Sequence, residues 1–349
     1  MGHKAVFVAK GNLPPGVKAR EAGVDVRNDF TFSPLKLITE ARRLADIFRE
    51  IDANVVCAQR AAGMNLALAA RGLMRGPGPA IVRARIDTRP VRSGFANRRI
   101  YGKMVDGVAA ANRACASRHI DALGMEKNRV RVLIGGVDVA FFKPDETARE
   151  LKTEWGVPVD APLVGMVARL DFVKGQDDFI DMAALVARDF PEARFALIGK
   201  EINVKVNNLK ERAASRGVGD RVFFVGERPD INRCVASLDV GVVASTGSEA
   251  LSRVALEYMA CGVPVVGTEV GGIPDVIEDG VVGRMVPPAR PEKMADAIKE
   301  ILGNPDDASR MGAGGRKRTV DLYSREKFAE ATVEFYKELI ESRTETSGK

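Results

Sequence analysis

Residues 239–272 read DVGVVASTGSEALSRVALEYMACGVPVVGTEVGG, and this stretch constrains the fold more than any other. The run VGVV is apolar without alternation, which marks a parallel strand buried on both faces. It breaks at residues 244–248 into small and polar side chains, then offers Glu249 and, eight positions later, a second carboxylate, Glu257, on an expected helix. Strand, loop, helix, strand is the order of an open parallel α/β sheet, in which ligands bind outside the carboxyl ends of strands. A helix starting near Ser252 aims its free backbone N–H groups and the positive end of its dipole at that loop. A sugar attached to a phosphate fits there, the anion at the helix terminus and the hydroxyls on carboxylates.

The rest of the chain supports two such domains. At 349 residues and 46% hydrophobic content it has material for two cores. It contains no apolar run of about 18 residues that could span a membrane, and its start, MGHKAVFVAKGNLPP, lacks the layout of a secretion signal, so a cytoplasmic protein is expected. Cys57, Cys115, Cys234 and Cys261 stand far apart without a CxxC, beside only two histidines, His3 and His119. That pattern argues against zinc or disulfide frameworks and predicts reduced, buried thiols.

Charge separates the halves. Residues 1–150 hold 26 Lys/Arg against 15 Asp/Glu, a net of +11, whereas residues 151–349 hold 27 against 32, a net of −5. The positive charge is densest in IVRARIDTRPVRSGFANRRIYGK, where Arg83, Arg85, Arg89, Arg92, Arg98, Arg99 and Lys103 face only Asp87. A solvated basic face accounts for any single one of them; as a group they suit a phosphorylated acceptor or an anionic lipid surface. Nucleic acid is not expected, because no zinc-finger, RNA-recognition or helix-turn-helix pattern occurs and only Phe95 and Tyr101 interleave.

The βα punctuation runs twice. In the first series AVFVA, a Gly/Pro loop, GVDV, the amphipathic ITEARRLADIFREI, NVVCA, MNLALAARGLM, AIVRARI, a long helix over 97–113 and VRVLIGG follow one another. Prolines 144, 158 and 162 mark a junction, and a second series then runs from LVGMVARL. The expected organisation is α/β, with two Rossmann-like domains facing a cleft: a first domain over 1–143, a second over 144–325, and a terminal helix with a frayed tail over 326–349. Phe328, Val333, Tyr336 and Leu339 share one face of that helix, which would fold back on the first domain.

Chemistry concentrates in the second domain. Arg169 and Lys174 follow the strand LVGMVA just ahead of Gly175, a clamp for a diphosphate in which guanidinium binds oxygens bidentately and ammonium acts as a point charge. Glu249 and Glu257 could form a two-carboxylate hydrolase pair, but eight helical residues rise about 12 Å, too far to flank one bond. Separate tasks are expected, Glu249 on the sugar and Glu257 on a ribose diol. No D-x-D pair occurs, so no metal ion is expected and fixed positive charge must serve in its place. Neither a GxGxxG after a strand nor a P-loop is present, and the glycines of MGAGGRKR read as a kink or cap.

Together SEALSRVALEYMACGVPVVGTEVGGIPDVIEDGVVGRMVPP, VGMVARLDFVKGQDDFI, RVFFVGERPDINRCVASLDVGVVAS and IGGVDVAFFKP resemble the retaining GT-B glycosyltransferases of the glycosyl transferases group 1 family. The resemblance implies a GT-B fold and transfer of a sugar from a nucleotide-sugar donor, with retained anomeric configuration and no metal or other cofactor. By the same resemblance Glu249 contacts the transferred sugar. The amides of Ala250, Leu251 and Ser252 meet sugar and phosphate, Glu257 holds the ribose, Arg169 and Lys174 neutralise the departing diphosphate, and the region of Arg228 borders the base.

Three positions depart from the family pattern. Ala250 and Ser252 stand where glycines are usual, Ile86 stands where a histidine commonly ends the strand, and GHKAVFV begins at residue 2, so that an initial strand–helix unit of the first domain is missing from the pattern. The implied activity is a metal-independent hexosyltransferase on a lipid-linked or envelope glycan acceptor, peripheral at the inner face of a membrane. The alternatives are a donor-binding protein, catalytically impaired, that needs a partner or second copy, and an epimerase or phosphorylase on a similar frame.

Overall fold

The computed structural model describes residues 2–9, 13–27, 29–31, 34–86, 91–247 and 249–347; Asp87, Arg89 and Ser248 lie outside them. Its first region contains β1 (Val6–Val8), α1 (Pro14–Glu21), β2 (Asp25–Arg27), α2 (Leu37–Glu50), β3 (Val55–Ala58), α3 (Ala61–Gly72), β4 (Ala80–Arg85), α4 (Phe95–Arg99), β5 (Gly107–Ala110), α5 (Arg113–Leu123) and β6 (Val130–Val132). The four strands β3-β4-β5-β6 form one parallel sheet. β1 and β2 form a separate parallel pair, so among the described residues the expected single sheet is divided between β1 and β3.

The second region follows with α6 (Glu150–Glu154), β7 (Leu163–Val167), α7 (Gln176–Asp189), β8 (Arg194–Ile198), α8 (Val206–Ser215), β9 (Val222–Gly226), α9 (Ile231–Ala236), β10 (Val240–Val243), α10 (Arg253–Ala260), β11 (Val265–Thr268), β12 (Gly283–Val286), α11 (Pro291–Gly303), α12 (Pro305–Leu322) and α13 (Arg325–Ser347). Six parallel strands lie in the order β12-β11-β10-β7-β8-β9. Every residue of β10 and β11 is buried, as continuous apolar runs require when helices cover both faces. Val240, Val242 and Val266 pack with Phe179 and Ile180 of α7 and Ile298 of α11. On the opposite face Val243 and Val265 meet Leu256, Tyr258 and Met259 of α10. Each such large side chain contributes about 1.5–3 kcal/mol by leaving water.

Several expectations are corrected. The Gly/Pro loop after β1 contains α1, started by prolines at its first turn where a missing N–H costs nothing. The long helix over 97–113 does not form: α4 ends at Arg99, a π-type turn spans Ile100–Met104, and the small apolar GVAA of 107–110 enters the sheet as β5. The MGAGGRKR glycines do not cap a helix. They lie inside α12, where a Cβ on Gly312 would stand 2.1 Å from the Gly262 carbonyl, so glycine lets α12 touch the chain end of α10.

The terminal helix does fold back on the first domain, through Phe335 and Leu339 against Val82, although Phe335 was not among the residues expected there. It continues through residue 347, into the stretch expected to fray. Cys115, Cys234 and Cys261 are buried, but Cys57 is exposed. Burial pushes the thiols of Cys234 and Cys261 up, to about 11 and about 12. Arg83 does not belong to a solvated basic face: it is buried and donates to the carbonyls of Ala58 (2.8 Å) and Ala84 (2.5 Å).

Candidate active site

The strand order of the second sheet reverses between β7 and β10. The chain proceeds from β7 to β8 and β9 on one side, then returns to place β10 on the other. The helices that follow β7 and β10 diverge to opposite faces, which opens a crevice at the carboxyl ends of these two strands, the usual ligand position in such sheets.

Both expected groups emerge there. A 3₁₀ turn over Phe172–Lys174 follows β7 and ends at Gly175, in the left-handed region at φ +76°, where a Cβ would lie 2.1 Å from the Ala244 carbonyl. Only glycine allows this approach of the two loops. Thr246 N–H donates to the Val173 carbonyl (3.0 Å) and joins them. The Lys174 ammonium consequently pairs directly with the Glu249 carboxylate, and Ser245 Oγ donates to the same carboxylate oxygen (2.9 Å). Thr268 of β11 donates to the Ser245 carbonyl (2.6 Å) and holds the serine in place.

The Glu249 backbone is fixed from below. Gly272 N–H donates to the Glu249 carbonyl (2.8 Å). Gly271, at φ +59°, comes so close that a Cβ would stand 1.8 Å from that oxygen. Beyond it α10 begins, with Ser252 as N-cap accepting from Ala255 N–H (3.4 Å). The amides of Ala250, Leu251 and Ser252 donate to no described residue and remain available to an anion at the helix terminus.

The other expected residues are distributed along the same edge. Arg169 is exposed beyond β7, its carbonyl held by Gln176 Nε2 (2.9 Å). Glu257 sits one turn inside α10, because residues 249–252 are not helical and only Arg253 to Glu257 contribute helical rise, about 6 Å rather than 12. It lines a small recess with Gly136, Asp138, Arg253 and Arg325, and burial raises its pKa while Arg253 partly offsets this. Arg228 follows β9, two strands and about 10 Å from β7. It pairs with Glu154 (2.7 Å) and Asp230 (2.8 Å), and the hydrogen bonds to Asp230 and then Glu154 raise its pKa further. Lys174 and Glu249 are therefore brought together, and Arg228 and Glu257 are not brought into contact with them.

Ser245, Thr268, Gly271, Gly272 and Tyr258 escaped sequence reasoning. Tyr258, fully buried, accepts Val167 N–H on its hydroxyl (2.7 Å) and ties α10 to the end of β7. A serine directly after an apolar strand and four residues before a glutamate was the readable signal for Ser245.

Residues 147–318 match the family model described as Glycosyl transferases group 1. Over 220 residues the chain is 34% identical to a D-inositol 3-phosphate glycosyltransferase of Acidothermus cellulolyticus, covering 59% of this chain and 48% of that protein. Over 232 residues it is 32% identical to a GDP-mannose-dependent alpha-(1-6)-phosphatidylinositol monomannoside mannosyltransferase of Mycolicibacterium smegmatis, covering 64% and 60%. The matches thus span about half to three fifths of these relatives' length. The fold is similar to that of a glycosyltransferase from Rickettsia africae (TM-score 0.84, 17% identity, 97% of this chain and 99% of that one). It is also similar to Anabaena Alr3699/HepE in complex with UDP (TM-score 0.82, 21% identity, 95% and 99%). These likenesses establish the two-domain α/β architecture expected from the sequence, that of GT-B glycosyltransferases.

Proposed function

Since this chain belongs, through residues 147–318, to the glycosyl transferases group 1 family, we propose that it moves a hexosyl group from a nucleotide-sugar donor to a glycan or lipid-linked acceptor, with retained anomeric configuration and no metal ion. The observation that carries this reading is the joining of Lys174 and Glu249 at the crevice between β7 and β10, beside three amides free to receive an anion.

In this reading the donor diphosphate lies over the start of α10. It draws the Lys174 ammonium toward its oxygens, and the exposed Arg169 guanidinium closes on them from the β7 side. Glu249, relieved of part of its pairing, accepts from sugar hydroxyls. The bond from the anomeric carbon to the phosphate oxygen breaks, the acceptor oxygen bonds to that carbon on the same face, and the acceptor proton passes to the departing phosphate. Fixed donors aimed at developing phosphate charge stabilise such a transition state without reorganisation. Glu257 takes the ribose diol, and the loop around Arg228 borders the base.

The acceptor meets the basic first domain. Leu35 is 98% exposed and Phe95 84% exposed in the connections that leave the carboxyl ends of β2 and β4, and Lys36 in the first and Arg92, Arg98, Arg99 and Lys103 in the second are exposed as well. Apolar tips and positive charge favour an anionic bilayer surface, and no helix among the described residues is long and apolar enough to cross one. UDP-, GDP- and ADP-sugars, each supplied with a lipid-phosphate acceptor and vesicles containing phosphatidylglycerol, test the reading. One donor should release its nucleoside diphosphate and give a product whose anomeric configuration, read by NMR, matches the donor. An inverted product contradicts retention; no release from any donor contradicts transfer.

A second reading, donor binding without transfer until a partner or second copy binds, is favoured by the separation of β1–β2 from β3–β6. Turnover per molecule that rises with protein concentration supports it, and concentration-independent turnover removes it.

A further inference from the structure

A residue of the first domain reaches the candidate site. Asn112 is the N-cap of α5 and is buried; its Oδ1 accepts from Cys115 N–H (2.7 Å), while its Nδ2 donates to the carbonyl of Ala250 (2.7 Å), 138 residues away. Beside it Arg113 N–H, at the first turn of α5, donates to the Asp275 carboxylate (2.5 Å), a negative charge at a helix N-terminus. Gly272 also closes on the Ala250 carbonyl: a Cβ there would stand 2.4 Å from the oxygen and 3.2 Å from Asn112 Cβ.

The peptide bond is planar, and in its trans form C=O and N–H point in opposite directions. Holding the Ala250 carbonyl therefore sets the direction of Leu251 N–H, and holding the Glu249 carbonyl through Gly272 sets that of Ala250 N–H. One of the two peptide planes is oriented from within the second domain, the other from the first. We propose that Asn112 is a positioning residue, which aims the Leu251 amide into the donor crevice and makes that aim depend on the docking of the two domains. The catalytic consequence rests on the glycosyltransferase reading; the control of the backbone does not.

Asn112→Asp and Asn112→Ser both keep an oxygen to cap α5 and lose the amide donor to Ala250. Either variant should lower kcat for release of nucleoside diphosphate about tenfold, as loss of one neutral hydrogen bond that aims a donor allows. KM should move less than about twofold and Tm by no more than about 3 °C, because the cap survives. Hydrogen exchange of the Arg253 and Gly272 amides, which donate to the Leu251 and Glu249 carbonyls, should accelerate in both. Parental kcat and parental exchange in these variants overturn the inference, and so does a lowered Tm with parental kcat, which would mean a purely structural cap. If the parent protein turns over no sugar nucleotide, the proposed function fails and the exchange comparison still decides whether Asn112 holds the loop. Should Asn112→Asp not fold, Asn112→Ser alone decides.

Discussion

Lys174 and Glu249, 75 residues apart in the chain, form an ion pair at the carboxyl ends of the adjacent strands β7 and β10. Their side chains are only 20% and 12% exposed, so the pair is shielded, and Ser245 supplies a third group to the same carboxylate.

Removing one partner leaves a partly buried charge without its counter-ion. Glu249→Ala and Lys174→Ala should each reduce nucleoside diphosphate release by at least about a hundredfold, the scale for loss of a preorganised charge-stabilising group. Each should also lose about 1–3 kcal/mol in denaturant unfolding. The double variant should lose less than the sum of the singles, a coupling read by the double-mutant cycle. Additive losses would mean that the two side chains do not act as a pair.

Gly271→Ala places a Cβ 1.8 Å from the Glu249 carbonyl at a backbone φ of +59°. The loop must move, and the left-handed conformation alone costs about 1 kcal/mol for a residue with a Cβ. The expected result is a lowered Tm together with lost sugar-nucleotide binding in calorimetry. Unchanged binding would show that the Glu249 loop is not held by this contact.

Sequence pattern revealed β7 to β11 of the second domain well, because these strands are short apolar runs; β12, GRMV, carries Arg284 and gave no such signal. It showed Lys174 and Glu249 as separate members of one edge, since strand ends in one sheet are neighbours by topology. Their direct pairing depends on Gly175 touching Ala244, a contact between strands that spacing does not encode. The eight residues from Glu249 to Glu257 misled for a local reason: half of them belong to a loop that Gly271 and Gly272 hold open. Asn112 was invisible because its partner lies in the other domain, and β5 because GVAA is too small and short to outweigh the helical residues around it.

Glu257 gives a pH signature. Burial raises its folded pKa above the ordinary carboxylate value, so above that ordinary value the unfolded state releases the proton more readily than the folded one. Stability from this group is fully present below about pH 4, and falls as pH rises from there through the raised folded pKa. Glu257→Gln should remove that fall while weakening binding of the nucleotide. Stability profiles measured by urea titration between pH 4 and 8 compare the two; parallel profiles contradict the assignment.

Leu339 of α13 is buried against the first-domain sheet, where a Cβ on Gly107 would meet it at 2.4 Å. Leu339→Ala should cost about 2–5 kcal/mol, as large-to-small changes in cores do. Urea unfolding should show that loss; a loss under about 0.5 kcal/mol would mean that α13 is not docked there in solution.

The central claim, a sugar-nucleotide site between Lys174 and Glu249, is tested most directly by calorimetric titration of the intact protein and of Glu249→Ala with UDP-, GDP- and ADP-glucose and GDP-mannose. The intact protein should bind at least one of these with a single site, and Glu249→Ala should bind the same sugar nucleotide at least about tenfold more weakly, consistent with loss of a hydrogen-bonding charged group. Absence of binding to every one, or equal affinity in the variant, would contradict it.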